Sequence, residues 1–258
     1  MSELPRIYKT EAIVLHQREI GEADRLLTVY TPALGKLTVL AKGVRRSKSK
    51  IGGHVETLSQ STLLLSQGHT LDIVSQAQLI ESFVALRDDL WRLSCGLYVA
   101  EMVDRFTPDR QPSSDLYLLL EETLRRICEA RKGDLVLRFF EMRFLNLMGY
   151  RPQLHQCVVC EEPLKAGPFA FSSASGGLVC GDCRDTMPSS LLKAVSVNAV
   201  KTLRFLQDND FETALRLKLD SELSTELEYL LRSFLAYVLE NEIKSNVWLD
   251  RVRRTPRV

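Results

Sequence analysis

The sequence predicts an α+β protein of more than one part: a small closed β-barrel at the N-terminus, then an all-α helical domain carrying a four-cysteine zinc-ribbon insertion. Three observations lead there. Residues 1–81 break into short runs enriched in Val, Ile, Leu, Thr and Tyr; after Phe83 the apolar period changes from two to about 3.6; and four of the six cysteines form two C-x2-C pairs separated by nineteen residues. At 258 residues, 45% of them hydrophobic, the chain can bury more than one core.

Five runs read as strands: YKTEAIVLHQ, DRLLTVYT, GKLTVLAKG, ETLSQSTLLLSQ and TLDIVSQAQLI, punctuated by Gly21, by Pro32 with Gly35, by Gly52 and Gly53, and by Gly68. Five short strands in so little chain fit a closed barrel, which leaves no sheet edge exposed. Beyond them Leu86, Leu90, Leu93, Leu97, Ala100 and Val103 recur at helical steps, on a helix expected to end near Pro108. Ser113 or Ser114 is placed to cap a second helix with the stripe Leu116, Leu120, Leu124 and Ile127. A third, DLVLRFFEMRFLNLMGY, is apolar on most faces, which suits the buried centre of a bundle closed by Gly149 and Pro152. After the cysteine segment, Val197, Val200, Leu203 and Leu206 mark one helix, and Leu223, Leu227, Leu230, Phe234, Tyr237 and Leu239 mark another. The expected parts are residues 1–81, the barrel; 82–154, the first helical part; 155–187, the zinc-binding insertion; and 188–258, the second helical part with a basic tail.

The cysteines speak to compartment and to metal. Cys157, Cys160, Cys180 and Cys183 can each wrap a tight turn around one ion, and four thiolates complete a tetrahedral structural zinc site with no open position. A pair of redox disulfides would want a βαβ context that is missing, while spacing alone does not separate zinc from an iron–sulfur cluster. His155 is close enough in sequence to replace a cysteine, but four thiolates already suffice. Cys95 and Cys128 fall inside helical patterns and read as small core residues. No apolar run approaches the roughly 18 residues that span a bilayer. The start, Met1-Ser2-Glu3-Leu4-Pro5, lacks a signal-peptide pattern, so a soluble, intracellular protein with no membrane partner is expected.

Nothing in the sequence points to catalysis. His16, His54, His69 and His155 are scattered, and no phosphate-binding GxxxxGK[ST], GxGxxG or GxSxG signature occurs, so the protein is expected not to be an enzyme. Glu19, Glu22 and Asp24 lie beside Arg18 and Arg25 and read as an ion-pair cluster in preference to a metal site.

Charge is uneven although the net charge is only +1. From Arg25 to Val55 there is no Asp or Glu, and Arg25, Lys36, Lys42, Arg45, Arg46, Lys48 and Lys50 all fall in that span. On two barrel strands and their loop they form a candidate DNA-binding surface that would replace counterions on a phosphate backbone. Ser47 and Ser49 would add donors, and Gly52 and Gly53 would let the loop adapt. The barrel run holds only Tyr8 and Tyr30 as aromatics, so phosphate contact is expected to outweigh base stacking and to discriminate weakly between single strands and duplex. A plain solvated loop is the competing reading.

The stretch AIVLHQREIGEADRLLTVYTPALGKLTVLAKGVRRSKSKIGG, with its G-E-x-D-R turn, T-x-x-x-G-K strand entry and K-G-x-R-R-x-x-S loop, resembles the N-terminal signature of the bacterial RecO family of recombination mediators. The order of barrel, helices with a four-cysteine insertion and a late IKSNVWL segment is similar to that family along nearly the whole chain. The resemblance implies that the barrel is an OB-fold. It further implies that the protein works in the cytoplasm, at the nucleoid during repair, where it binds single- and double-stranded DNA and anneals complementary strands. With RecR it would help load RecA onto DNA coated with single-strand-binding protein, whose acidic C-terminal tail would dock on the helical domain. By matching position, Arg45, Arg46 and Lys48 would touch DNA with Lys42 and Lys50 in support, and the four cysteines would hold one structural Zn2+. Annealing asks for a second strand-holding surface, such as the tail Arg251, Arg253 and Arg254, a second copy, or a strand held by the partner. The alternatives are a zinc-ribbon adaptor that binds protein partners through its helices, and an RNA-binding OB-fold protein.

Overall fold

The computed structural model describes residues 5–130, 134–165, 167–239, 243 and 245–254. The barrel strands are β1 (Ile7–Ile20), β2 (Asp24–Thr31), β3 (Gly35–Ala41), β4 (Gln60–Ser66) and β5 (Asp72–Glu81); burial alternates throughout β3, whereas β1 buries Ala12–Leu15 in a row. The order β1-β2-β3-β5-β4 closes on itself because β1 is long enough to pair with both β2 and β4, while β3 and β5 meet in parallel at Val39–Asp72 and Leu40–Ile73. This is the OB-fold barrel. Ala12, Val14, Leu27, Val29, Leu37, Val39, Leu63, Leu65 and Val74 fill it. A register shift between Val14 and His16 bends β1 and changes which of its residues face outward.

The helices follow: α1 (Leu90–Phe106), capped by Asp89, which accepts from the Arg92 amide, and α2 (Ser114–Glu129), capped by Ser113, which accepts from that of Leu116. The stripe expected for α2 is buried in full. That expected for α1 is not: the helix begins at Leu90, Leu86 belongs to a preceding 3-10 turn, and Leu90 and Leu97 are exposed. Leu86, Ala100 and Val103 of that stripe are buried as expected, together with Trp91, Cys95, Tyr98, Val99 and Met102, so the first turns of α1 present aromatic and small side chains, in place of Leu90 and Leu97, to the neighbouring elements. Next come α3 (Asp134–Leu147), β6 (Phe169–Ser172), β7 (Gly177–Val179), α4 (Gly181–Arg184), β8 (Leu192–Val195), α5 (Val197–Asp208), α6 (Phe211–Ala214), α7 (Ser221–Leu239) and α8 (Ser245–Arg254). Val200, Leu203 and Leu206 of α5 and Leu227, Leu230 and Phe234 of α7 are buried as expected, whereas Val197 and Tyr237 are exposed at the element ends. Among the described residues no helix is long and apolar enough to cross a membrane. The side chains of Arg253 and Arg254, and residues 255–258, lie outside the described residues.

Two compact units form. One contains Met1–Ala130 with Lys244–Val258, the other Arg131–Ile243. In the first, α1 and α2 are tied to the barrel by polar bonds that periodicity does not reveal. The Lys36 ammonium, 14% exposed, donates to the Asp104 carbonyl at 2.5 Å and lies 3.3 Å from the Asp104 carboxylate and 3.6 Å from that of Asp109. Asp72 accepts from Tyr8 at 2.6 Å and from Arg110 at 3.0 Å, and Gln60 donates to Tyr117 at 3.0 Å. Gly35, at φ +67°, lets the 107–112 connection pass so near that a Cβ there would sit 2.1 Å from the Gln111 carbonyl oxygen. The chain re-enters this unit at α8, whose Ser245 amide donates to Glu101 at 2.7 Å.

In the second unit α3, α5 and α7 pack on one another around a buried ion network. Arg138 on α3 meets Glu141 at 2.6 Å and Glu228 of α7 at 3.7 Å, and Arg232 meets Glu228 at 2.7 Å. Arg138→Met leaves two carboxylates in an apolar interior without that guanidinium. Urea unfolding is expected to show a loss of about 3–5 kcal/mol, with the barrel melting unchanged.

Candidate nucleic-acid interface and metal centre

The basic loop leaves β3 at Ala41 and is folded, not free. Gly43, at φ +62°, turns the chain so that its amide donates to the Asp24 carboxylate at 2.7 Å. The Arg45 amide donates to the Ala23 carbonyl at 3.0 Å, while its guanidinium lies 3.2 Å from Glu19 and reaches the Gly21 and Glu22 carbonyls. Val44, Ile51 and Val55 pack into the barrel core. Gly52 is required for packing and not for adaptability: a Cβ there would meet the Val44 carbonyl oxygen at 2.9 Å. The loop therefore presents Lys42, Arg45, Arg46, Lys48 and Lys50 to solvent from a backbone anchored on the β1–β2 turn. The acidic group near that turn supplies the anchors, in keeping with an ion-pair role.

Two of the sequence candidates sit elsewhere. Arg25 lies opposite Ala41 on β2 but donates to Gln17 at 3.0 Å and Glu56 at 3.3 Å, beneath the loop. Lys36 stands at the far end of β3, about 20 Å along the strand from Lys42 at 3.3 Å per residue, and is committed to Asp104 and Asp109. A span without acids in sequence is thus not without acids in space. The structure also brings beside the loop residues to which the sequence reading gave no DNA contact. His16 and Arg18 are exposed on β1, and Thr28 and Thr38 pair across β2 and β3 on the outer barrel face. Only the register shift at Val14–His16 turns those β1 positions outward, and no residue in the run announces it. Tyr8 and Tyr30, the barrel's two aromatics, are both buried, and burial raises both phenols above their ordinary range. Neither can stack on a base.

The second centre lies where two turns converge beside the β6–β7 hairpin. The Cys157, Cys160, Cys180 and Cys183 sulfurs all lie within 4.8 Å of one another, with Cys160 and Cys180 at 3.9 Å. A tetrahedron of metal–sulfur bonds of about 2.3 Å has edges of about 3.8 Å, so the cluster fits one ion. It does not fit disulfides, whose sulfurs lie about 2.05 Å apart. Burial pushes the Cys157 thiol up, but the amides of Cys160, Cys180 and Val159 outweigh it and bring it down to about 6. The Cys183 thiol, hydrogen-bonded first of all with Cys180, is pushed up to about 12. Cys157 is ready to be a thiolate, while the Cys160 and Cys183 thiols are held above their ordinary range until a cation joins them, as suits a metal site of this donor set. His155 lies 3.7 Å from Asp208 and is not among the clustered ligands.

The family model described as Recombination protein O N terminal matches residues 1–83, and the one described as Recombination protein O C terminal matches residues 87–246. The chain belongs to the RecO family. Relatives named DNA repair protein RecO agree along almost all of it. The protein of Dehalococcoides mccartyi strain 195 is 38% identical over 250 residues, covering 97% of this chain and 98% of its own. That of Roseiflexus sp. strain RS-1 is 37% identical over 252 residues, covering 98% and 88%, and that of Desulforamulus reducens 35% over 250 residues, covering 97% and 96%. The RecO N-terminal match ends just beyond β5, so the barrel is the whole of that part.

Cys157→Ser removes the most buried ligand of the cluster and is expected to bring bound metal, read by plasma mass spectrometry, close to zero. Asp24→Ala removes the loop's anchor, and the Gly43 amide is expected to lose its protection in hydrogen exchange while amides in the β1–β4 ladder keep theirs.

Proposed function

We propose that this RecO-family chain is a DNA-binding recombination mediator in DNA repair. It binds single- and double-stranded DNA, anneals complementary strands and, with RecR, helps load RecA onto DNA coated with single-strand-binding protein. The observation that carries the reading is the anchored loop, which offers Lys42, Arg46, Lys48 and Lys50 together on an OB barrel while Asp24 and Glu19 are used up holding it in place. Cations on a fixed backbone neutralise phosphates at little ordering cost, and such contacts are blind to sequence. With both barrel tyrosines buried, the loop holds phosphate and leaves bases alone. Arg25 and Lys36 serve the barrel in this account and Arg45 the loop's foot, with Arg18 and His16 extending the surface across β1.

The work is binding and not turnover. Two strands repel through their phosphates, and positive surface offered to both lowers that barrier without a chemical step. The four cysteines hold one structural zinc ion, which fixes an insertion whose hairpin buries few apolar side chains among the described residues, Phe169, Ala170, Phe171, Leu178 and Val179. RecR, RecA and the acidic tail of single-strand-binding protein come to this chain through its family, and the tail is assigned to the helical part without named residues. A cytoplasmic protein that joins the nucleoid during repair follows from the same role.

Arg46→Glu with Lys48→Glu and Lys50→Glu reverses three exposed charges and disturbs none of the loop's anchors. Fluorescence anisotropy is expected to show DNA affinity falling more than a hundredfold, and annealing of strands coated with single-strand-binding protein should stop while metal content and melting stay unchanged. Unchanged DNA binding with retained protein partners would favour the adaptor reading, and tighter binding to RNA of the same sequence the RNA-binding one.

A further inference from the structure

One anchored loop holds one strand, and annealing needs a second. We propose that residues 150–156 and the outer face of α5 form a second nucleic-acid surface, one that selects single strands; this rests on the DNA-binding function proposed above. The segment is extended from Tyr150 to Leu154 and turns at His155, where the Gln153 side-chain oxygen accepts from the His155 amide at 3.0 Å; Pro152 and Leu154 are buried, while Tyr150, Arg151, Gln153, His155 and Gln156 are exposed. Arg151 and Gln153, on the extended part, stand about 6.6 Å apart at 3.3 Å per residue, so Tyr150 and Arg151 lead a strand along the segment as far as the turn at His155. Tyr150 is 48% exposed, an aromatic ring beside a cation of the kind the barrel lacks.

The backbone beneath is pinned from both sides. Gln207 donates to the Pro152 carbonyl at 3.0 Å and Arg204 to the Leu154 carbonyl at 2.7 Å. The Gln153 amide donates to the Gly176 carbonyl, and its own carbonyl accepts from Leu178, each at 2.9 Å. Arg151 and His155 share Asp208, at 3.5 and 3.7 Å. Lys201, exposed, stands one turn before Arg204 on the same helix. Arg151, Lys201 and Arg204 against the single carboxylate of Asp208 leave an excess of positive charge that does not depend on histidine. The metal turns point the other way electrostatically. Glu161, Glu162, Asp182 and Asp185 are exposed beside the cysteines and outnumber the exposed Lys165 and Arg184 there, so those turns offer phosphate no positive surface to match that of Arg151, Lys201 and Arg204.

Stacking on Tyr150 and phosphate contact by Arg151 and Lys201 make different demands on the test. With the full zinc-loaded chain and a labelled polythymidine strand, Tyr150→Ala is expected to weaken single-strand binding about fivefold or more, to leave duplex binding unchanged, and to be rescued by Tyr150→Phe. Arg151→Glu with Lys201→Glu is expected to slow annealing at least tenfold and to flatten the single-strand salt slope by about 1.4, two phosphates at about 0.7 each. Variants that melt, bind and anneal as the parent does would overturn the proposal. Should a reversal unfold the chain, photocrosslinking of the parent to a bromouracil strand decides: adducts at Tyr150 are expected, and adducts confined to residues 42–50 contradict the second surface while leaving the barrel reading intact. A parent chain that holds no DNA sinks both.

Discussion

The hydrogen bond from the Gly43 amide to the Asp24 carboxylate, 2.7 Å long, is the constraint on which the candidate interface depends. It closes the β1–β2 turn onto the loop that follows β3, and Arg45 completes the clasp by bonding the same turn through both backbone and guanidinium. An acidic residue thereby holds a basic loop in place. The cost is one partly satisfied negative charge beneath a positive surface; the gain is that Lys42, Arg46, Lys48 and Lys50 stand on a fixed backbone. Val44, Ile51 and Val55 insert into the barrel, so the loop is a part of the fold and not an appendage to it.

The two units solve their packing problems with buried charge in different ways. In the barrel unit, Lys36, Asp72 and Arg110 join strands to the first helices through pairs near the surface. In the other, the Arg138 network lies between α3 and α7, and the four clustered cysteines stand beside a short hairpin where one metal ion would fit. Neither device uses Lys42, Arg46, Lys48 or Lys50, so binding and stability can be separated by mutation. Duplex, having no free base to stack, would meet the barrel loop, while a single strand would meet either surface.

Much of this was legible in the sequence, and the misses have physical causes. Five strands, the α2 stripe and the two C-x2-C turns show in local spacing, because pleat, helix and metal geometry are local. Of the α1 stripe, Leu86, Ala100 and Val103 are buried as read, while Leu90 and Leu97 are not, because they fit the period as well as Trp91 and Tyr98 do and only tertiary packing chooses between faces. Arg25 and Lys36 counted as free cations because their partners, Glu56 and Asp104, are distant in sequence. His16 and Arg18 were hidden by a register shift, and the 150–156 line by its brevity: a strand-like alternation of a few residues between a helix and a metal turn carries no strong pattern.

The most direct test is the salt dependence of affinity, measured by anisotropy on several duplexes of unrelated sequence. If four fixed cations carry the barrel contact, the logarithm of affinity falls against that of salt concentration with a slope of about −3.6, four phosphates at about 0.9 each, equally for every sequence. A slope near zero, or a preference among sequences above about tenfold, about 1.4 kcal/mol, would contradict an interface built on phosphate contact.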